Sequence, residues 1–285
     1  MRKIFILIFI SGLSFTAFSQ KNIYKITGNG ISKPSYLFGT FHILCKEDFS
    51  MSRSFLDKIS ETEQLALELD MDDPQLMMKT YKGMAMQGDS TMKMLLSPEK
   101  YQFVAKTMKD SMQINLRSVE KVKPYMVYAM VMPKLLACDV LSIEKELVKV
   151  FSNQKKETVG LEEVADQLAV FDLIPYKDQA NELAEGLEDL PLARKELRES
   201  VELYKLGNYE EILKLSSKKE GVMVKYESEL LTNRNKNWIP KIIKMASEKP
   251  TFFAVGAGHL VGKEGLISLL KQKGYEVELI KQFAD

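Results

Sequence analysis

The chain has 285 residues, of which 45% are hydrophobic, 28% charged and 9% aromatic, with forty Lys and Arg against thirty-nine Asp and Glu. Those fractions belong to an ordinary globular protein and exclude a disordered or collagen-like chain. A net charge of +1 lacks the basic excess on which phosphate-backbone binding depends, so nucleic acid is not an expected partner.

Arg2 and Lys3 precede an apolar run from Ile4 to Ile10, and Ala17-Phe18-Ser19 puts small residues where a signal peptidase reads. Residues 1–19 are therefore predicted to be a secretory signal peptide, too short and softly flanked for a membrane span. Its removal leaves 266 residues of net charge −1, expected in a periplasm or outside the cell. No cysteine lies near the cleavage position, so a lipid anchor is not expected. No later apolar stretch approaches the ~18 residues that a spanning helix needs.

Asn22 to Thr27 alternates, Gly28-Asn29-Gly30 turns and Ser35 to Phe38 runs back, a hairpin pattern. Ser52 to Ser60 reads as a short helix. Gln64 to Asp70 reads as a buried strand ending in the carboxylates Glu68 and Asp70. From Pro74 to about Ser152 the pattern is helical, with breaks at Gly88, Ser97-Pro98 and Lys123-Pro124. Strand character returns over Glu157 to Leu161 and meets Glu162 and Glu163. Helices then fill the chain to about Ala246. Thr251 to Val255 is the most apolar strand; a helix carrying Leu266, Leu269 and Leu270 follows, and Tyr275 to Ile280 closes the pattern.

Strands separated by helices predict an α/β fold, a central sheet flanked by helices with a large inserted helical cap at about 74–152. Residues 20–285 are expected to form one domain, since no linker or repeat divides them. Twelve of the sixteen methionines lie between Met71 and Met132. They serve either as adaptable filling for helical core or as a flexible grip on varied peptide or lipid-like ligands.

The mature chain has two histidines, and both follow a strand through a glycine: Gly39-Thr40-Phe41-His42 and Gly256-Ala257-Gly258-His259. In open α/β sheets ligands bind beyond the carboxyl ends of the strands, where both histidines fall. The other strands deliver Glu68 with Asp70, and Glu162 with Glu163, to equivalent places. Imidazole and carboxylate together suit a divalent metal such as zinc, manganese, cobalt or iron, and no thiolate cluster points to a structural zinc site. Gly39, Gly256 and Gly258 permit sharp turns and close backbone approach. Taken singly, each histidine reads equally as a hydrogen-bonded, partly buried side chain. No HExxH helix, GxSxG elbow or P-loop is present.

Export bears on Cys45 and Cys138, the only two cysteines. They pair as a disulfide, stay as buried thiols, or, with Cys45 three residues after His42, contribute a metal ligand; the sequence leaves these readings open.

Tyr36-Leu37-Phe38-Gly39-Thr40-Phe41-His42, Leu67-Glu68-Leu69-Asp70, Val159-Gly160-Leu161-Glu162-Glu163, Arg234-Asn235 with Trp238, and Phe253 to Leu260 stand in the order seen in the TraB/GumN family. The chain resembles that family from about Tyr24 to Leu279. The family includes the pheromone-shutdown proteins and is similar to the Tiki metalloproteases; more remotely it resembles erythromycin-esterase-like and haem-binding ChaN-like proteins. The resemblance implies a metal-dependent hydrolase, with His42 and His259 as signature histidines, Glu68 and Glu162 as strand-end acids and Arg234-Asn235 as a polar pair on the late helix. Gly160-Leu161-Glu162-Glu163 departs from many relatives, which carry Thr at the last place.

The expected activity is hydrolysis of peptides or protein termini. His42, Glu68 and His259 would hold a divalent metal (manganese, cobalt or zinc), with Glu162 as general base or further ligand. Arg234 would stabilise an oxyanion or hold a substrate carboxylate, with Asn235 as an extra hydrogen-bonding group. The competing expectations are a non-catalytic peptide-sequestering protein and a haem binder using His42 or His259 as axial ligand.

Overall fold

The computed structural model describes residues 22–217 and 221–280. The signal-peptide expectation for residues 1–19 lies outside the described residues. In chain order the strands are β1 (Ile23–Thr27), β2 (Ser35–Thr40), β3 (Leu44–Cys45), β4 (Gln64–Leu67), β5 (Val140–Leu141), β6 (Glu157–Gly160), β7 (Thr251–Gly256) and β8 (Glu276–Leu279). The helices begin with α1 (Arg53–Ser60), α2 (Leu76–Gly83), α3 (Met92–Leu95), α4 (Pro98–Met112), α5 (Pro124–Leu136) and α6 (Ile143–Asn153). They continue as α7 (Val164–Leu173), α8 (Tyr176–Glu188), α9 (Leu190–Leu206), α10 (Tyr209–Ser217), α11 (Val222–Lys225), α12 (Asn233–Glu248) and α13 (Leu266–Gln272).

The main sheet runs β6-β4-β7-β2-β1-β8. Its first four strands are parallel, while β1 runs antiparallel to both β2 and β8. The β1–β2 hairpin forms where the alternation predicts it, because Gly28, Asn29 and Gly30 all accept the positive φ that the turn requires. Successive residues of a strand face opposite sides of a sheet. Phe252 and Phe253 are both fully buried, so helices cover β7 on both faces. On the Phe252 side, Phe55 of α1 and Phe151 of α6 meet its ring at 5.7 and 6.0 Å. Aromatic pairs at these separations add to the area that they bury. α12 packs on β7 and against α13, which packs on β8.

Ser52 caps α1 by accepting from Phe55 N, and Ser142 caps α6 by accepting from Lys145 N. The stretch 74–152 is not all cap. α6 lies against β4 and β6 as a crossover helix, since Ile143, Leu147 and Phe151 form one apolar stripe on it and are all buried. α2 packs with α7, and α5 with α8 and α9, so the helical layer draws on both long insertions. Met92, Met108 and Met112 fill its core, whereas Met77, Met78 and Met94 stand exposed. Cys45 and Cys138 are joined as a disulfide across the small β3–β5 sheet. Among the described residues, no helix is long and apolar enough to cross a membrane.

Candidate active site

Register brings the chemistry to one edge. Thr40 pairs with Gly256, and Leu67 with both Ala254 and Gly160, so the four parallel strands end together. The residues just past those ends are His42, Glu68, Glu162 and His259. Backbone bonds from Leu161 N to Leu67 O (2.8 Å) and Glu162 N to Glu68 O (3.0 Å) carry the pairing one step further. α12 supplies Arg234 and Asn235 immediately after a π-helical turn over Ser228–Thr232. Such wide turns shift the side chains that follow and recur at functional sites.

Arg234 is the hub. Its Nη2 donates to Glu68 Oε2 at 2.7 Å and to Glu162 Oε1 at 2.6 Å, and its Nε lies 3.2 Å from each oxygen of Glu162. Its Nη1 donates to Leu230 O and to His259 Nε2, both at 3.1 Å, and the guanidinium lies 4.8 Å from the centre of the Trp238 ring. Trp238 Nε1 donates to Glu162 Oε2 at 3.1 Å. Both oxygens of Glu162 are thus engaged by Arg234 and Trp238, and the residue is buried. Burial of this kind is tolerable only because the ion pair carries several hydrogen bonds.

The two histidines are held alike. His259 Nδ1 lies 2.7 Å from Asn235 Oδ1, while the Asn235 amide donates to the backbone oxygens of His259 and Glu264. His42 Nδ1 lies 2.8 Å from Glu144 Oε1, and Ser142 Oγ donates to the other Glu144 oxygen at 2.7 Å. In both rings an outer partner takes Nδ1 and leaves Nε2 on the inner side. This is how metal-binding and catalytic imidazoles are oriented.

The charges differ between the two rings. Burial, together with the positive charges of Arg234 and His42, lowers His259 to about 4 against the pull of Glu68, so that ring is neutral at pH 7. Crowding by neighbouring atoms partly desolvates the His42 ring and works against its charge, but the Glu144 hydrogen bond and charge outweigh this and raise it to about 9. Its side chain is 65% accessible and borders the site cavity. Burial opposes ionisation of Glu144 and Glu68 as well. His42 and the Ser142 hydroxyl nevertheless hold Glu144 at about 2, and His259, Arg234, His42 and the Gly256 N–H hold Glu68 at about 2.

Gly256 forms the floor. Its N–H donates to Glu68 Oε1 at 2.8 Å. A Cβ at this position would stand 3.2 Å from Glu68 Oε1, 3.6 Å from His42 Nε2 and 3.7 Å from His259 Cδ2. The missing side chain therefore leaves a gap walled by two imidazoles and a carboxylate. In donor type that set suits a divalent metal, although His259 turns its Cδ2 and not its Nε2 to the gap. It is not a ready-made three-ligand centre: among the described residues no three His, Cys, Asp or Glu groups stand at ligating separation. Arg234 takes His259 Nε2, the Gly256 N–H takes Glu68 Oε1, and 3.9 Å separates those two acceptors.

Asp70 and Glu163 do not join the cluster. Asp70, pushed up to about 6 by burial and by Asp72, turns to the loop beyond β4, and Glu163 is exposed with Lys79 at 3.9 Å. Cys45 lies in the disulfide and is no metal ligand. Two contributors lie outside the residues that the sequence singles out. Glu144 holds His42, and Gln167 Nε2 donates to Glu68 Oε2 at 3.1 Å. In sequence Glu144 is one acidic residue in the first turn of a helix, which reads as ordinary capping.

A family model described as the TraB/PrgY/gumN family matches residues 22–279. The chain belongs to that family. Over a short segment it is similar to three curated animal proteins. It is 39% identical over 59 residues to a Metalloprotease TIKI homolog of Nematostella vectensis, covering 20% of this chain and 12% of the relative. It is 41% identical over 56 residues to Metalloprotease TIKI2 of Xenopus tropicalis and 38% over 56 to Metalloprotease TIKI1 of Danio rerio, each match covering 19% of this chain and 11% of the relative. The matches thus span about a ninth of those relatives. No solved structure matches the chain.

Proposed function

We propose that the protein is an exported, metal-dependent hydrolase of peptides or protein termini, acting at the gap beside Gly256. The observation that carries this reading is the convergence of His42 Nε2, Glu68 Oε1 and the inner edge of His259 on a space where the chain has no side chain. Similarity to the TIKI metalloproteases supports the same reaction class and a divalent metal.

His42, Glu68 and His259 would hold the metal, His42 by releasing its Nε2 proton and His259 by exchanging its Arg234 contact for the ion; the metal would supply Lewis-acid polarisation of a carbonyl and a more acidic water. Glu144 and Asn235 hold the two rings by their Nδ1 atoms, which restricts them to small rotations. Arg234 sets Glu68 through Oε2 and presents a buried positive charge beside the gap, placed to favour negative charge that develops on a substrate oxygen. Glu162 and Trp238 hold that guanidinium in position. The cleft is open to solvent at His42, as a peptide substrate requires.

Purified mature protein, stripped of metal and then supplied with manganese, cobalt or zinc, is expected to cleave members of a mixed peptide library. His42→Ala and Glu68→Gln should abolish the cleavage. Failure of every metal-supplemented sample to cleave any peptide would remove the hydrolase reading.

A further inference from the structure

Two cavities meet at His42, and a third adjoins both of them. The site's own cavity, about 450 Å³, shares His42, Ile43, Pro133 and Ser142 with a second of about 800 Å³. It shares Met71, Leu76 and Thr80 with a third of about 620 Å³. The second and third also share Lys145 and Lys149, so one face of α6 borders both. The three are contiguous and form one groove, with His42 at the junction of the first two and Glu68 on the wall of the first.

The ends differ in chemistry. The third cavity is lined by Leu76, Met77, Tyr81, Met84 and Val148, with Lys145 and Lys149 only at the border it shares with the second, and α2 leaves Met77 84% and Tyr81 79% exposed. Large apolar side chains grouped on a surface mark a place where something else covers them. The second cavity presents Lys46 and Lys145, neither with a carboxylate partner among the described residues, while Lys149 is paired with Glu146 at 2.6 Å. Two unpaired ammonium groups on a cleft wall attract an anion.

We propose that this groove selects the substrate: a peptide lying across His42, with a large apolar side chain in the methionine-lined end and a carboxylate at Lys46 and Lys145. The inference rests on the peptide-hydrolase reading and adds a direction and two side-chain preferences to it. Methionine is unbranched and soft, so the apolar end accepts several large residues in place of one. The carboxylate comes either from an Asp or Glu side chain or from a peptide C-terminus, two sources with the same chemistry.

The test uses fluorogenic peptides that vary independently in the residue on each side of the cleaved bond, each made with a free and with an amidated C-terminus. Wild type should favour the combination of a large apolar and an acidic group over neutral controls by at least about tenfold in kcat/KM. Lys46→Glu with Lys145→Glu should invert the charge preference towards Lys and Arg peptides. Met77→Ser with Tyr81→Ser should collapse the apolar preference. All four residues are on the surface, so the fold is not at stake, and circular dichroism checks it. A preference that survives amidation assigns the carboxylate to a side chain, and one lost on amidation assigns it to the terminus. Cleavage without these preferences, or preferences unmoved by the variants, overturns the inference and leaves peptide hydrolysis standing. Should nothing be cleaved, fluorescence anisotropy with the same peptides decides the groove separately, and binding that ignores both groups overturns it.

Discussion

His259 Nδ1–H donates a hydrogen bond to the Asn235 carboxamide oxygen at 2.7 Å, which leaves the lone pair on Nε2. The choice of tautomer is made by the backbone. The Asn235 amide spends its two hydrogens on the carbonyls of His259 (3.2 Å) and Glu264 (2.8 Å), so its oxygen has one possible orientation. Asn235→Ala leaves a buried N–H and two carbonyls without partners, an expected cost of about 1–3 kcal/mol in urea unfolding. Peptide turnover should fall by about 10–100-fold as the ring loses its outer partner. Unchanged turnover with the stability loss intact would make Asn235 a purely structural residue.

Stability should depend on pH through the same ring. His259 is lowered to about 4 in the folded chain against an ordinary 6.5, so the unfolded state binds more protons between those values. Stability therefore rises with pH from 4 to 6.5 and is lost as pH falls, on the order of 3 kcal/mol for the full shift. His42 acts with the opposite sign: raised to about 9, it contributes below pH 6.5 and the contribution fades as pH rises through 9. Chemical unfolding of wild type and His259→Gln across pH 4–7 isolates the first effect. Parallel curves for the two proteins would refute it.

Three glycines share one role in the sequence and three different surroundings in the structure. Gly256 has an ordinary backbone conformation (φ −50°, ψ 134°), so Gly256→Ala introduces no strain there. Its methyl group fills the gap between Glu68, His42 and His259, and turnover is expected to drop at least about 100-fold with little change in Tm. At Gly39 a Cβ would stand 2.7 Å from the Tyr209 ring, so Gly39→Ala should cost about 1–3 kcal/mol of stability. Gly258→Ala meets Leu213 at 3.4 Å, an ordinary contact, and should be close to neutral. Thermal melts beside turnover give all three outcomes in one experiment.

Strand ends are legible because Gly39-Thr40-Phe41-His42 and Gly256-Ala257-Gly258-His259 each follow an unbroken apolar strand, and parallel pairing then fixes their convergence. Side-chain hydrogen bonding is not legible. Nothing in the spelling of Glu162 reveals that Arg234 and Trp238 saturate it, and nothing about Glu144 distinguishes it from a helix-capping acid. The cap boundary shows the same limit: the stripe Ile143, Leu147 and Phe151 marks α6 as a helix with one buried face, but the stripe does not say whether that face meets the sheet or other helices.

Glu162 therefore gives a sharp contrast. If it holds Arg234, Glu162→Gln should cost about 3 kcal/mol in unfolding, because a buried ion pair loses one charge. Turnover should fall as Arg234 shifts, with the pH optimum unmoved. A general base would behave otherwise, with near-native stability and loss of the acidic limb of the pH–rate profile.

The disulfide joins the two segments that carry the His42–Glu144 pair. Cys45 lies three residues after His42 and Cys138 six before Glu144, and β3 and β5 pair between them. The bridge has a sequence separation of 93, which in the chain-entropy model corresponds to a stabilisation of about 4.6 kcal/mol. Cys45→Ser with Cys138→Ser should lower stability by up to that amount. It should also lower turnover at a temperature where the variant is still fully folded, because His42 loses the anchor that holds its ring against Glu144. Turnover measured at low temperature separates the two effects: a variant that is less stable yet fully active when folded confines the bridge to the unfolded-state entropy, whereas a parallel loss of activity ties it to the site.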